Sequence, residues 1–178
     1  MTSQTTAIRL IEVGDAEQIA AHLARDVDDF ARWEPAQPKE YYTTAGQESR
    51  IDRLLNGYRN GDRWPGVVLA DNAVIGQVTI STILRGPFQK GYLGYWVAVP
   101  FQRQGHASRA VSLALQVMVS ELGLHRAEAH TQMENLPSHQ VLRKNGFSTF
   151  GTAHSHIFIN GAWRDGVLWE RSLHDRPL

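Results

Sequence analysis

The chain contains no cysteine, which removes disulfides, thiolate catalysis and cysteine-ligated metal sites together. It also lacks any excess of charge, since 18 Lys and Arg balance 18 Asp and Glu across 178 residues. Without a basic field or a polybasic arm, neither nucleic acid nor a membrane surface is an expected partner. No run approaches the roughly 18 consecutive apolar residues of a membrane-spanning helix. The opening MTSQTTAIRL has no charged-then-apolar leader pattern, so the expected address is the cytoplasm. Internal repeats and low-complexity tracts are absent as well. What remains is ordinary globular material, 42% apolar and 20% charged. The length suits one domain over 1–178, burying roughly 70% of its unfolded surface.

Periodicity organises that domain. Residues 7–12 alternate as a first strand. Asp15 is placed to cap a helix over 16–25, with Ile19, Ala20 and Leu23 on one face. A short helical turn at 28–35 stops before Pro35. Thr43 or Thr44 opens a second helix that carries Ile51, Leu54, Leu55 and Tyr58 inward and ends at Gly61. Residues 66–70 and 74–84 read as a hairpin across Asp71-Asn72, and 91–99 as the next strand. Residues 106–122 form a helix apolar nearly all round, hence buried, with Gly123 as its stop. A strand at 125–132, a helix at 136–145 and a hairpin of 147–158 with 162–171 across Asn160-Gly161 complete the chain. The order is βααβββαβαββ. It predicts a mixed α/β (α+β) fold with seven strands, mostly antiparallel, and one central parallel βαβ unit.

The stretch VAVPFQRQGHASRAV at 97–111 interrupts this pattern with a polar loop between a strand and a buried helix. Such a loop is either an ordinary turn or an anion site. A helix N-terminus offers unpaired N–H groups and partial positive charge, suited to phosphate or diphosphate. Gly105 lets backbone approach a ligand, Ala107 keeps the next position small, and Arg103 and His106 can add charge at the rim. The loop lacks the Gly-Lys-Ser/Thr of a P-loop and the three glycines of a Rossmann turn.

Three blocks together resemble the GNAT N-acetyltransferases, specifically the RimJ/RimL branch: the Gln-x-x-Gly-x-Ala loop, the Asn135-Leu136-Pro137-Ser138 to Gly146-Phe147 segment, and the closing INGAWRDGVLWERSL at 159–173. RGPFQKGYLGYW at 85–96 and RWEP at 32–35 most resemble the ribosomal-protein-alanine enzymes of that branch. The resemblance implies acetyl-CoA as co-substrate, no metal, and a primary amine as acceptor, foremost a protein or peptide N-terminus. It implies a coenzyme site of Val97, Val99, Arg103, Gln104, Gly105, His106, Ala107, Ser108, Asn135 and Ser138. Strands 92–99 and 126–132 are expected to splay, leaving backbone groups of Val97 and Val99 open to the pantetheine. Many family members place a Tyr seven residues after the Asn to protonate the leaving thiolate. Here that residue is Leu142, and Ser138, one turn earlier, is the substitute candidate.

Ser138 and Asn135 are also good helix-capping types. Alternation on 126–132 puts Glu128, His130 and Gln132 on one face. His130 is a candidate base by its pKa range, or else a polar residue lining a wet groove. Glu34 is a second candidate, from a Trp33-Glu34-Pro35 turn that otherwise reads as a packed corner. Trp33, Glu34, Arg85 and Tyr95 are the candidate acceptor contacts. His154 and His156, two apart on one strand, have no third ligand nearby to hold zinc. Two other functions stay open: a small-molecule amine acetyl- or succinyltransferase, and a coenzyme-binding protein without turnover. Exposed strands at 147–171 suit a monomer or a homodimer.

Overall fold

The computed structural model describes residues 5–174. Its elements are β1 (Thr6–Leu10), α1 (Ala16–Arg25), α2 (Val27–Phe30), α3 (Thr44–Arg59), β2 (Trp64–Ala70), β3 (Ala73–Leu84), β4 (Lys90–Val97), α4 (His106–Ser120), β5 (Arg126–Gln132), α5 (Leu136–Lys144), β6 (Ser148–Ile159) and β7 (Ala162–Ser172). The seven strands form one sheet in the order β1-β2-β3-β4-β5-β7-β6. Every neighbouring pair is antiparallel except β4 with β5. The expected order and the central parallel βαβ unit are therefore present.

Apolar spacing assigns the helices to two faces. Ile19 and Leu23 of α1 and Ile51 of α3 bury against Val67 and Val74 on one side. Ala110, Val111, Ala114, Leu115 and Met118 of α4 bury against Val78, Ile80, Leu93, Val97 and Ala127 on the other, joined by Leu142 of α5 and Trp169 of β7. Each fully buried aliphatic side chain contributes about 1.5–3 kcal/mol. Thr43 caps α3 by accepting from the Gly46 N–H at 3.1 Å. Two expectations change. Tyr58 stays exposed on α3, because Ile51 and Leu54 already fill the inward stripe. Asp15 precedes α1 but does not cap it; its carboxylate accepts from Arg9 at 2.6 and 2.8 Å and from the Glu12 N–H at 2.8 Å.

No helix among the described residues is long and apolar enough to cross a membrane.

Candidate active site

The site begins where β4 and β5 part. Their pairing is confined to Lys90–Arg126, Gly91–Ala127 and Tyr92–Glu128. Below the fork, Glu128 is buried between Lys90 Nζ, 2.9 Å away, and Arg126 Nε, 2.8 Å away. These cations and hydrogen bonds outweigh desolvation and hold its carboxyl below the usual range. The ion pairs pin the strands together there. Beyond Tyr92 and Glu128 the strands separate, and backbone groups face a gap. The Ala98 N–H donates to Ile75 O at 2.8 Å. Alternation then turns the Val97 N–H toward the gap.

Side chains divide between two faces of this fork. Leu93, Tyr95 and Val97 pack with the α4–α5 core. Trp96 packs with the α1–α3 core, and Tyr92 and Gly94 share its face. On β5, Ala127 and Ala129 join the α4–α5 core, which leaves His130 and Gln132 on the α1–α3 face.

On the α4–α5 side, Gly105 adopts φ +89° and opens α4 without a side-chain cap. The first-turn N–H groups have no intrahelical acceptor, and an added Cβ at Gly105 meets no atom within 4 Å. Gly105 is thus required by its left-handed backbone, while the space before it is open. Loop carbonyls are closed off by the loop's own amides: Gln102 Nε2 donates to Val97 O at 2.9 Å and Gln104 Nε2 to Pro100 O at 2.8 Å. Arg103 is exposed at φ +61°. Ala107 packs on the core. Ser108 is held by Asn145 Nδ2, which donates to its carbonyl at 3.1 Å and its hydroxyl at 3.2 Å. Asn145, expected only as a helix stop, therefore fastens α5 to the first turn of α4. Asn135 caps α5 by accepting from the Ser138 N–H at 3.2 Å. Ser138 Oγ lies 2.8 Å from the Tyr95 hydroxyl. Leu142 is fully buried.

Three sequence expectations are corrected here. The Val99 N–H does not face the fork; it donates to Asp26 Oδ2 at 2.8 Å. His106 does not charge the rim, because its ring is buried with Nδ1 2.8 Å from Thr6 Oγ1. Arg85 follows Leu84, which pairs with Lys90 at the closed end of the fork, and donates to Leu122 O beyond the far end of α4. Tyr95, a candidate acceptor contact, packs with the α4–α5 core and meets Ser138.

On the α1–α3 side the wall is the 30–34 turn. Phe30 packs edge-on to Trp96, with centroids 5.4 Å apart. Gln132 Nε2 donates to Arg32 O at 3.2 Å, and Asn160 Nδ2 to Ala31 O at 2.8 Å. Trp33 and Glu34 thus sit at the open end of the fork. Glu34 borders a cavity of about 30 Å³ with Phe30, Tyr41 and Tyr42. Burial raises its pKa, and the charge of Arg50 opposes that rise. Arg50 Nη1 and Trp96 Nε1 both donate to the buried Gln77 Oε1, at 3.1 and 3.2 Å. His130 lies edge-on to His156, with centroids 4.9 Å apart. Desolvation first, and the charge of His156 second, lower its pKa. The strand irregularity at 153–157, with Ser155 at φ +48°, breaks the expected alternation of His154 and His156. His154 instead lies 2.9 Å from Asp165. Among the described residues no cluster of three or more His, Asp or Glu is arranged to hold a metal. A larger cleft of about 420 Å³, lined by His139, Arg143, Thr149 and Trp169 among others, includes none of the fork candidates.

Asp26, Arg50, Gln77 and Gly94 were missed in the sequence. A lone Asp after a helix carries no periodic signal, and the Arg50–Gln77 contact joins residues 27 positions apart.

Residues 6–148, which span both sides of the fork, match the profile of the acetyltransferase (GNAT) domain. The chain belongs to the GNAT acetyltransferase family. It is similar to the [ribosomal protein uS5]-alanine N-acetyltransferase of Escherichia coli, 28% identical over 94% of this chain and 88% of that protein. Among solved structures it resembles the ribosomal-protein-S5-alanine acetyltransferase from Vibrio fischeri, with a TM-score of 0.91 and 32% identity over 97% of this chain and 96% of that one. It also resembles Mycobacterium smegmatis RimJ in complex with CoA-disulfide, with a TM-score of 0.92 and 28% identity over 96% and 83%. The GNAT fold that the resemblance implied is thus the fold observed.

Proposed function

We propose that this GNAT enzyme transfers acetyl from acetyl-CoA to the α-amine of a protein N-terminus, of the ribosomal-protein-alanine type. The observation that carries the reading is the division of the fork into two faces. A backbone-lined entrance and Ser138 lie on one, and Glu34 and His130 on the other, so thioester and amine have separate approaches to one gap. The likeness to enzymes named for ribosomal-protein alanine supports the protein acceptor.

The residues present fit the co-substrate. Uncapped N–H groups at His106, Ala107 and Ser108 receive the diphosphate, with Arg103 and Gln104 beside them. Asn135 and the gap-facing Val97 N–H bind the amide-rich pantetheine, satisfying strand groups otherwise left bare. Acetyl-CoA supplies an activated acyl group. The chain then needs to deliver a neutral amine. An α-amine titrates near 8, so about a tenth is free base at neutral pH, against less than a thousandth of a lysine near 10.4. Weak base help is enough. His130, kept neutral by its lowered pKa, takes the amine proton through water. Glu34, opposite it on the acceptor side, attracts the ammonium form, and Trp33 forms the wall.

An acceptor screen tests this. Peptides beginning with Ala, Ser or Met, lysine peptides with blocked N-termini, and polyamines are incubated with acetyl-CoA or succinyl-CoA and read by mass spectrometry. Acetylation of α-amines, strongest on Ala, is the expected outcome. Transfer to polyamines alone makes the enzyme a small-molecule acyltransferase, and coenzyme binding without thiol release to any acceptor removes the catalytic reading.

A further inference from the structure

Ser138 does not act alone in the fork. The Tyr95 hydroxyl, projecting from β4, lies 2.8 Å from Ser138 Oγ on α5 and 3.4 Å from Ser138 O. Resting on the acetyl-transfer reading above, we propose that Tyr95 is a positioning residue. Its O–H donates to Ser138 Oγ, which frees the Ser138 O–H to donate a hydrogen bond into the fork, to the sulfur that leaves the thioester.

Three observations carry this. First, the position seven residues after Asn135 is closed, because Leu142 is fully buried in the α4–α5 core. Any hydroxyl from α5 that reaches the fork comes from the preceding turn, where Ser138 is half-buried. Second, a phenol has one proton to give. The 2.8 Å contact matches an O–H···O bond, whereas 3.4 Å to the carbonyl is beyond the usual range. Either oxygen can donate in the shorter contact; with the Tyr95 proton on Oγ, the serine keeps its own proton for the fork. A helical serine left alone tends to turn its hydroxyl back onto backbone; the tyrosine fixes the rotor instead. Third, burial pushes the Tyr95 phenol up to about 12, so it remains a donor at any working pH. For the same reason it keeps its proton and is not itself the acid. Bonds in series polarise one another, which makes the Ser138 O–H a stronger donor.

The bonds balance simply. The amine lone pair forms C–N, C–S breaks, and the bonding pair leaves on sulfur. Ser138 stabilises that charge without surrendering its proton. The nitrogen loses a proton through water to His130, and sulfur gains one from water.

The test is a double-mutant cycle of Tyr95→Phe and Ser138→Ala, read as kcat and KM for both substrates. Ser138→Ala is expected to lower kcat roughly 10²-fold and Tyr95→Phe about tenfold, with both KM values and coenzyme affinity near wild type. The double variant is expected to match Ser138→Ala alone, since Tyr95 acts only through Ser138. Unchanged coenzyme affinity and melting temperature show that Tyr95→Phe is folded. A wild-type kcat in Tyr95→Phe, or a raised acceptor KM that adds to the Ser138→Ala loss, overturns the proposal and makes Tyr95 a wall of the acceptor site. A wild-type kcat in Ser138→Ala overturns the roles of both residues while transfer itself stands. Only a wild-type protein that acetylates no amine removes the underlying reading.

Discussion

On the α4–α5 face of the fork, Ser138 apart, the open hydrogen-bond donors belong to the backbone. On the α1–α3 face the polar groups belong to side chains brought from distant parts of the chain. The first face is stiff: Asn145 fastens α5 to Ser108 on α4, and Gln102 and Gln104 tie down the loop. The second is closed by two long-range bonds, Gln132 to Arg32 and Asn160 to Ala31. A site for one co-substrate can be built largely from main chain, which most side-chain substitutions leave in place. A site that selects an acceptor needs side chains, and those can change without disturbing the other face.

If that division holds, substitutions on each face alter only one substrate. The largest effect is expected from Gly105→Glu. It places a carboxylate before the uncapped helix entrance and forces a left-handed backbone on an L-residue, which costs about 1–2 kcal/mol. Coenzyme A affinity measured by calorimetry should fall at least tenfold, or about 1.4 kcal/mol. Gly105→Ala carries the same backbone strain without the charge and should bind more tightly than the Glu variant. Equal affinities for Glu and wild type would take the diphosphate away from this loop.

Gly94 tests the opposite face. It is exposed in the middle of β4, its φ lies outside the left-handed region, and an added Cβ meets nothing within 4 Å. Neither conformation nor packing demands glycine there, so its missing side chain leaves room over the gap on the proposed acceptor side. Gly94→Leu should raise the acceptor KM about tenfold, of the order expected for blocking one pocket contact, and leave the acetyl-CoA KM alone. Because glycine weakens a strand, the melting temperature should hold or rise. A shift in acetyl-CoA KM instead would mean that the two faces share this opening.

The same division governs what could be read in advance. The coenzyme face is written in contiguous stretches: the Gln-x-x-Gly-x-Ala loop, the Asn135 cap and the apolar helix each carry local turn, cap or period signals. Strand alternation placed Glu128, His130 and Gln132 together, as observed. The errors arise where a tertiary partner overrides local geometry. The Val99 N–H, His106 and Arg85 were read as free because Asp26, Thr6 and Leu122 lie 73, 100 and 37 residues away in sequence. The strand irregularity that turns His154 and His156 to different partners leaves no composition signal either. On the acceptor face only the Trp33-Glu34 turn was legible. Arg50 and Gln77 become neighbours through packing alone.

The smallest expected effect bears on which acceptor-side group takes the proton. His130 has a lowered pKa, caused first by desolvation and second by the charge of His156. A base must be neutral, so the acid limb of kcat/KM should lie below the ordinary histidine value of about 6.5. Folding stability follows the same sign: the unfolded chain binds the proton more readily, so this contribution is present above about 6.5 and is lost as pH falls toward the folded pKa. His156→Asn removes the second cause and keeps the first. The acid limb should therefore move up and stop short of 6.5. A limb that ignores His156→Asn but disappears in Glu34→Gln would transfer the proton-accepting role to Glu34. Its burial raises its pKa against the pull of Arg50, and His130 would then be only part of the groove wall.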